Sequence, residues 1–94
     1  RIQSSEALAL GIFNQVVEDA AFPQAVTELA SQIASGPPIA LGYMKENINS
    51  AIESSLQNNL AREADRLMRC AATEDHKEAV AAFMEKRPPV FTGK

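Results

Sequence analysis

The residues with types suited to chemistry are few: one histidine, His76, one cysteine, Cys70, scattered carboxylates, and a basic, aromatic stretch near the end. A histidine can act as a general base near neutral pH. His76, however, lies among acids in what reads as a first helical turn, with no nucleophile at a telling spacing, and so reads as a solvated or capping side chain. Cys70 has neither a second cysteine two residues away nor a nearby histidine, and it reads as a small apolar residue of a helix. One histidine and one cysteine cannot build a metal site. The adjacent acids Glu18-Asp19 and Glu74-Asp75 read as solvated pairs, since nothing places two carboxylates across a cleft. Gly11, Gly36, Gly42 and Gly93 are too dispersed to bring several backbone N–H groups onto a phosphate or an oxyanion. The residues therefore show no catalytic constellation and no metal set.

The stretch Ala82-Phe83-Met84-Glu85-Lys86-Arg87-Pro88-Pro89-Val90-Phe91 has two readings. In one, Phe83 packs, Lys86 and Arg87 complement the negative end of a helix, and the prolines end it. In the other, Phe83 and Lys86, three apart and so neighbours on a helix surface, offer an apolar plate beside a phosphate-binding charge.

The elements that would position these residues are helical. Ser4-Ser5-Glu6 opens a short turn with a hydroxyl available as its cap, and Gly11 stops it, because glycine adopts the left-handed conformation without steric cost. Residues 12–17 are apolar and β-branched enough for a short extended segment. Pro23 suits the first turn of the next helix, in which Val26, Leu29, Ala30 and Ile33 fall on one face. Ser35-Gly36-Pro37-Pro38 ends it and starts another, with the stripe Leu41, Met44, Ile48 and Ile52. Ser54-Ser55-Leu56-Gln57 reads as a capping box pairing Ser54 with Gln57. The helix after it carries Leu56, Leu60, Ala64, Leu67 and Ala71 on one side, and an Asp65–Arg69 pair four residues apart on the other. Thr73 caps the last helix, whose final turn takes in Lys86 and Arg87 before Pro88-Pro89 forbids continuation. The expected class is all-α: a small bundle of about four amphipathic helices, with a short N-terminal helical turn and an extended segment. Such helices leave apolar faces to spare in a short chain, so a covering surface is expected, either a missing domain or another copy.

At 94 residues the chain has the size of one domain, and with 46% hydrophobic residues it is not expected to be disordered. Its net charge of −3, without a basic stripe, argues against nucleic-acid binding. Its apolar runs are far short of the roughly 20 residues that span a bilayer. A lone cysteine suits a reducing, cytoplasmic setting. A start at Arg1 rather than Met suggests a piece of a longer protein.

Thr73-Glu74-Asp75-His76-Lys77-Glu78-Ala79-Val80-Ala81-Ala82-Phe83, followed by Glu85-Lys86-Arg87-Pro88-Pro89-Val90-Phe91-Thr92-Gly93-Lys94, resembles the closing signature of the enoyl-CoA hydratase/isomerase (crotonase) family. In that signature an Asp precedes Glu-Gly, then Ala-Phe, then Glu-Lys-Arg-x-Pro-x-Phe-x-Gly. Ala79 stands where Gly is usual, a departure that favours the helix. Ser5-Glu6-Ala7-Leu8-Ala9-Leu10-Gly11-Ile12-Phe13-Asn14-Gln15-Val16-Val17 resembles the family's segment leading into these helices. Leu29-Ala30, Pro37-Pro38-Ile39-Ala40-Leu41, Lys45 and Glu63 follow in order, so the resemblance covers essentially the whole chain.

The resemblance implies that residues 1–94 are the C-terminal helical domain of the crotonase fold, and that the N-terminal spiral core is absent. That core would supply the oxyanion-holding N–H groups and the catalytic glutamates, so this segment alone would be catalytically incomplete. It further implies a lid and oligomerisation role in a trimer-based homo-oligomer acting on acyl-CoA thioesters, with hydration of a 2-enoyl-CoA the expected reaction. Phe83 and Lys86 would contact the coenzyme A moiety of the substrate, with Arg87 and Lys94 as weaker candidates, and no other cofactor is expected. The alternative is a non-catalytic helical assembly module with no ligand of its own.

Overall fold

Residues 1–94 are described by a computed structural model, and every regular element in it is helical. The order is α1 (Ser4–Ala9), a single 3-10 turn (Asp19–Ala21), α2 (Phe22–Ala34), α3 (Pro38–Ala51), α4 (Leu56–Ala71) and α5 (Glu74–Glu85). Residues 12–17 run between α1 and the 3-10 turn without pairing as a strand. The all-α expectation holds. By its contacts the chain divides into two compact units, Arg1–Ile33 and Ala34–Lys94.

In the first unit, α1 is capped at its start by Gln3, with no side-chain hydrogen bond, so the expected hydroxyl cap from Ser4-Ser5 does not form. Its end does follow the sequence. Gly11 takes φ +72, and the chain closes with Ile12 N–H donating to Ala7 C=O at 2.9 Å and Gly11 N–H to Leu8 C=O at 3.0 Å. That pair of bonds is a Schellman motif, which satisfies carbonyls the helix would otherwise leave open.

The second unit carries α3, α4 and α5, with α4 packed against both of the others. Pro38 begins α3, where its missing N–H is no loss, and Pro37 precedes it in extended conformation. The cap of α4 is Ser55, one residue later than expected. Its Oγ accepts from Asn58 N–H at 3.2 Å. Ser54 instead offers its carbonyl to Asn59 Nδ2, and Asn59 Oδ1 accepts from Ser50 Oγ at 3.0 Å, which ties the α3–α4 turn. Arg66 of α4 reaches α3 twice. Its guanidinium bonds Glu46 at 2.8 Å and lies 4.5 Å over the Tyr43 ring, where a cation meets the negative π face. Asp65 and Arg69 pair at 2.8 Å, as their spacing predicts, and Arg69 holds the Asp65 carboxyl below its ordinary value. Thr73 caps α5 by accepting from His76 N–H at 3.1 Å.

What these helices lack is an interior. The only buried apolar residues are Ala7 and Ala82, and no large side chain is fully enclosed. The stripes read from the sequence are on the surface: Val26, Leu29 and Ile33 on α2, Ile48 on α3, and Leu56, Leu60 and Leu67 on α4 are all exposed, and so are Val80, Phe83 and Met84 on α5. A lone soluble monomer rarely shows so much apolar surface. The spare apolar faces expected from the sequence are therefore present, and more extensively than the sequence suggested.

Candidate functional site

The most ordered chemistry in the chain lies where α5 ends and residues 87–94 return along it. Helix α5 stops at Glu85, two residues short of the expected end, so neither Lys86 nor Arg87 is inside it. Lys86 is the left-handed residue (φ 55, ψ 40), with Lys86 N–H donating to Phe83 C=O at 3.3 Å and Arg87 N–H to Ala82 C=O at 3.0 Å. This is the same Schellman turn that closes α1, built on lysine instead of glycine. A side chain in that conformation costs about 1–2 kcal/mol. Arg87 precedes Pro88, and the proline ring disfavours helical backbone in the residue before it, so the chain must leave.

The departing tail then runs antiparallel to α5, held by two carboxylates. Glu78 grips Arg87 with both oxygens, Oε1 to Nη1 at 2.5 Å and Oε2 to Nη2 at 2.9 Å, and its Oε1 also accepts from Val90 N–H at 2.9 Å. Asp75 accepts from Thr92 N–H at 2.7 Å and from Gly93 N–H at 2.9 Å. The carbonyl of Lys94 closes the strap by accepting from Glu74 N–H at 2.7 Å and from Asp75 N–H, two donors that a helix N-terminus leaves open. Gly93 is needed here twice over. Its φ is +74, and a Cβ would sit 2.9 Å from Pro38 Cγ.

Charge follows geometry. Arg87, and after it the Val90 N–H, holds the Glu78 carboxyl down to about 2. Glu78 and Glu85 together push the Arg87 guanidinium still higher, the latter through an Nε–Oε2 bond of 2.6 Å. Asp75 is only 3% exposed. The expectation that Glu74-Asp75 is a solvated pair is therefore corrected for Asp75. Its burial is tolerable because two backbone donors satisfy it, whereas Glu74 stays at the surface with Lys77. Asp75 and Glu78 are three apart and so share a helix face, a spacing visible in the sequence. What could not be seen is that their partners lie 9 to 18 residues downstream.

Phe83 and Lys86 flank this turn. Phe83, in the last turn of α5, is 82% exposed, so the reading in which it packs within the chain does not hold. Lys86 is exposed and enters none of the ion pairs, all of which engage other residues. Arg87 is committed to Glu78 and Glu85, and Lys94 contributes its carbonyl to the strap. Lys45 and Glu63 are exposed on α3 and α4. His76 and Cys70 both line a small hollow of about 110 Å³ with Pro37, Ile39 and Phe91. His76 itself remains exposed in the first turn of α5. No three His, Cys, Asp or Glu side chains lie close enough together to hold a metal ion, and no helix is long and apolar enough to cross a membrane.

A second feature escaped sequence reasoning. In the first unit, Ile12, Phe13, Val16, Phe22, Val26 and Leu29 line an open, largely apolar hollow of about 430 Å³. The apolar run of residues 12–17 signals it, but its opposition to α2 is a tertiary fact.

Fold and site together define an all-helical segment with a clasped tail and open apolar faces. The chain belongs to the enoyl-CoA hydratase/isomerase family, whose sequence profile matches residues 1–94. It is similar to the short-chain-enoyl-CoA hydratase of Clostridium acetobutylicum, with 37% identity over 86 residues covering 92% of this chain and 33% of that protein. Similarity to the 1,2-epoxyphenylacetyl-CoA isomerase of Escherichia coli is 35% over 94 residues, all of this chain and 36% of the other. The crystal structure of an enoyl-CoA hydratase from Bacillus anthracis matches the fold with a TM-score of 0.91 at 33% identity, over 97% of this chain and 35% of that one. The family resemblance drawn from the tail and the N-terminal segment is thus borne out. The chain spans about a third of the length of the relatives it matches.

Proposed function

We propose that residues 1–94 are the C-terminal lid and oligomerisation segment of an enzyme acting on acyl-CoA thioesters, with hydration of a 2-enoyl-CoA as the whole protein's reaction. One observation carries this reading: apolar stripes on α2 to α5 stand exposed in a chain that matches only a third of each relative. Faces of this kind are complementary halves of an interface, whether with the rest of the enzyme or with another protomer. The oxyanion-holding and water-activating groups belong to the spiral core in this reading, so the segment by itself is catalytically silent, and the setting is cytoplasmic.

Within the segment, Phe83 and Lys86 contact the coenzyme A moiety. An exposed aromatic ring and an unpaired ammonium at one helix end suit an adenine-bearing, phosphorylated ligand. Two measurements on the 94-residue chain test the proposal. Crotonyl-CoA turnover should be absent, and robust turnover would show that the chain holds a catalytic site of its own. Coenzyme A should bind saturably and lose binding in Lys86→Ala, while equal binding by the variant would remove Lys86 from the site.

The same exposed stripes favour a second reading, a helical assembly module without a ligand. Sedimentation addresses it. Self-association of the chain supports the assembly role, and a well-folded strict monomer contradicts it.

A further inference from the structure

We infer that Glu78 is a positioning residue for the Phe83–Lys86 contact. By holding Arg87 it seats the chain that Pro88 forces out of α5 and so keeps Lys86 left-handed, and it reserves the phosphate for Lys86 rather than for its neighbour. The inference rests on the coenzyme A reading proposed above and adds to it the device that selects between two adjacent cations.

Lys86 and Arg87 are consecutive, and arginine is ordinarily the better bidentate partner for a phosphate. Here four of its five N–H donors are engaged. Nη1 and Nη2 face the two oxygens of Glu78, Nε faces Glu85, and Nη1 also reaches Pro88 C=O at 3.3 Å. To grip a phosphate with two parallel N–H groups, Arg87 would have to give up a carboxylate. Lys86 has no such commitment. Its backbone, in contrast, is fixed from both sides: Lys86 and Arg87 N–H close the Schellman turn on Phe83 and Ala82, and Arg87 beyond it is pinned to Glu78.

The rest of the strap makes this pin firm. Val90 N–H bonds the same Glu78 oxygen that receives Arg87, and Asp75 and the Lys94 carbonyl anchor the far end on the first turn of α5. Residues 87–94 therefore cannot drift without breaking Glu78's bonds, and Lys86 cannot relax from its left-handed conformation while the strap is seated. The backbone positions from which Phe83 and Lys86 extend are consequently fixed relative to one another, a preorganisation that lowers the ordering cost of binding.

The test is a double-variant cycle in the full-length enzyme that carries this segment, reading KM and kcat for crotonyl-CoA. Lys86→Ala is expected to raise KM about tenfold, the size of one lost charge-assisted contact. Glu78→Gln, which keeps the shape and removes the charge, is expected to raise KM about fivefold, with the effect falling on KM rather than kcat. In the Glu78→Gln background Lys86→Ala should then add less than about twofold, because Lys86 has already lost its position. Arg87→Gln breaks the same pair from the tail side and must reproduce the result, which keeps the test valid should Glu78→Gln fail to fold. Full additivity of Glu78→Gln and Lys86→Ala, or an unchanged KM in both Glu78→Gln and Arg87→Gln, overturns the inference while leaving the coenzyme A contact standing. An unchanged KM in Lys86→Ala overturns that contact, and this inference with it.

Discussion

Helices α1 and α5 end in the same hydrogen-bonded turn, yet one is closed by glycine and the other by lysine. At Gly11 the left-handed backbone is free of steric cost, and the chain goes on to an irregular apolar segment in which Ile12, Phe13 and Val16 lie open at the surface. At Lys86 the same geometry is strained, and it persists because everything after it is tied down: Arg87 and Val90 to Glu78, Thr92 and Gly93 to Asp75, and Lys94 to the start of α5. Strain held in place by surrounding bonds is a reason to look for function at the strained residue. The difference also separates two kinds of order. The tail is organised by polar bonds contained within this chain, whereas the apolar stripes of α2 to α5 find no cover within it.

Substitutions can break or sharpen this contrast, and the largest effect is expected at the strap. Gly93→Ala combines left-handed strain with a contact against the Pro38 ring, and should cost about 2–4 kcal/mol of tail docking. The check is loss of amide-exchange protection at Thr92, Gly93 and Glu74 with protection at Ile12 unchanged. Next come opposite changes at the two helix ends. Gly11→Ala should destabilise the end of α1 by about 1–2 kcal/mol, and Lys86→Gly should stabilise the end of α5 by a similar amount while removing its cation. Exchange rates of the Ile12 and Arg87 amides report the two signs, and equal signs would dissolve the comparison.

The smallest effect is in pH. Glu78 is ordinarily a 4.5 carboxyl and is lowered to about 2 in the folded chain. A depressed carboxylate contributes stability that is fully present above its unfolded value and is lost as pH falls through the folded one. The strap should therefore be indifferent to pH from neutrality down to 4.5 and should loosen between there and about 2. The Val90 amide shift should follow that titration, and Arg87→Gln should move its midpoint up toward 4.5.

Local rules made much of the fold legible. Gly11, Pro38 and Thr73 each mark a helix boundary through backbone geometry or a single hydroxyl, and each stands where those rules put it. The off-by-one at Ser55 arose because two serines are adjacent, and only the seating of Asn59 on the Ser54 carbonyl distinguishes them. Lys86 was misassigned to the last turn of α5 because cations near a helix end usually lie within it, whereas here Pro88 and the strap stop the helix first. The three-residue spacing of Phe83 and Lys86 is read as one helix face, yet Lys86 lies just beyond the helix, in the turn that closes it. The commitment of Arg87 and the burial of Asp75 were not legible, because both depend on a tail that folds back over many residues.

A hybrid tests directly whether this helical segment completes an acyl-CoA enzyme: this chain replaces the matching 86-residue stretch of the Clostridium acetobutylicum short-chain-enoyl-CoA hydratase, and crotonyl-CoA hydration is measured beside a version lacking the stretch. Turnover restored by the hybrid and absent from the truncated protein is the predicted result. A folded, assembled hybrid with no more turnover than the truncated protein would contradict it.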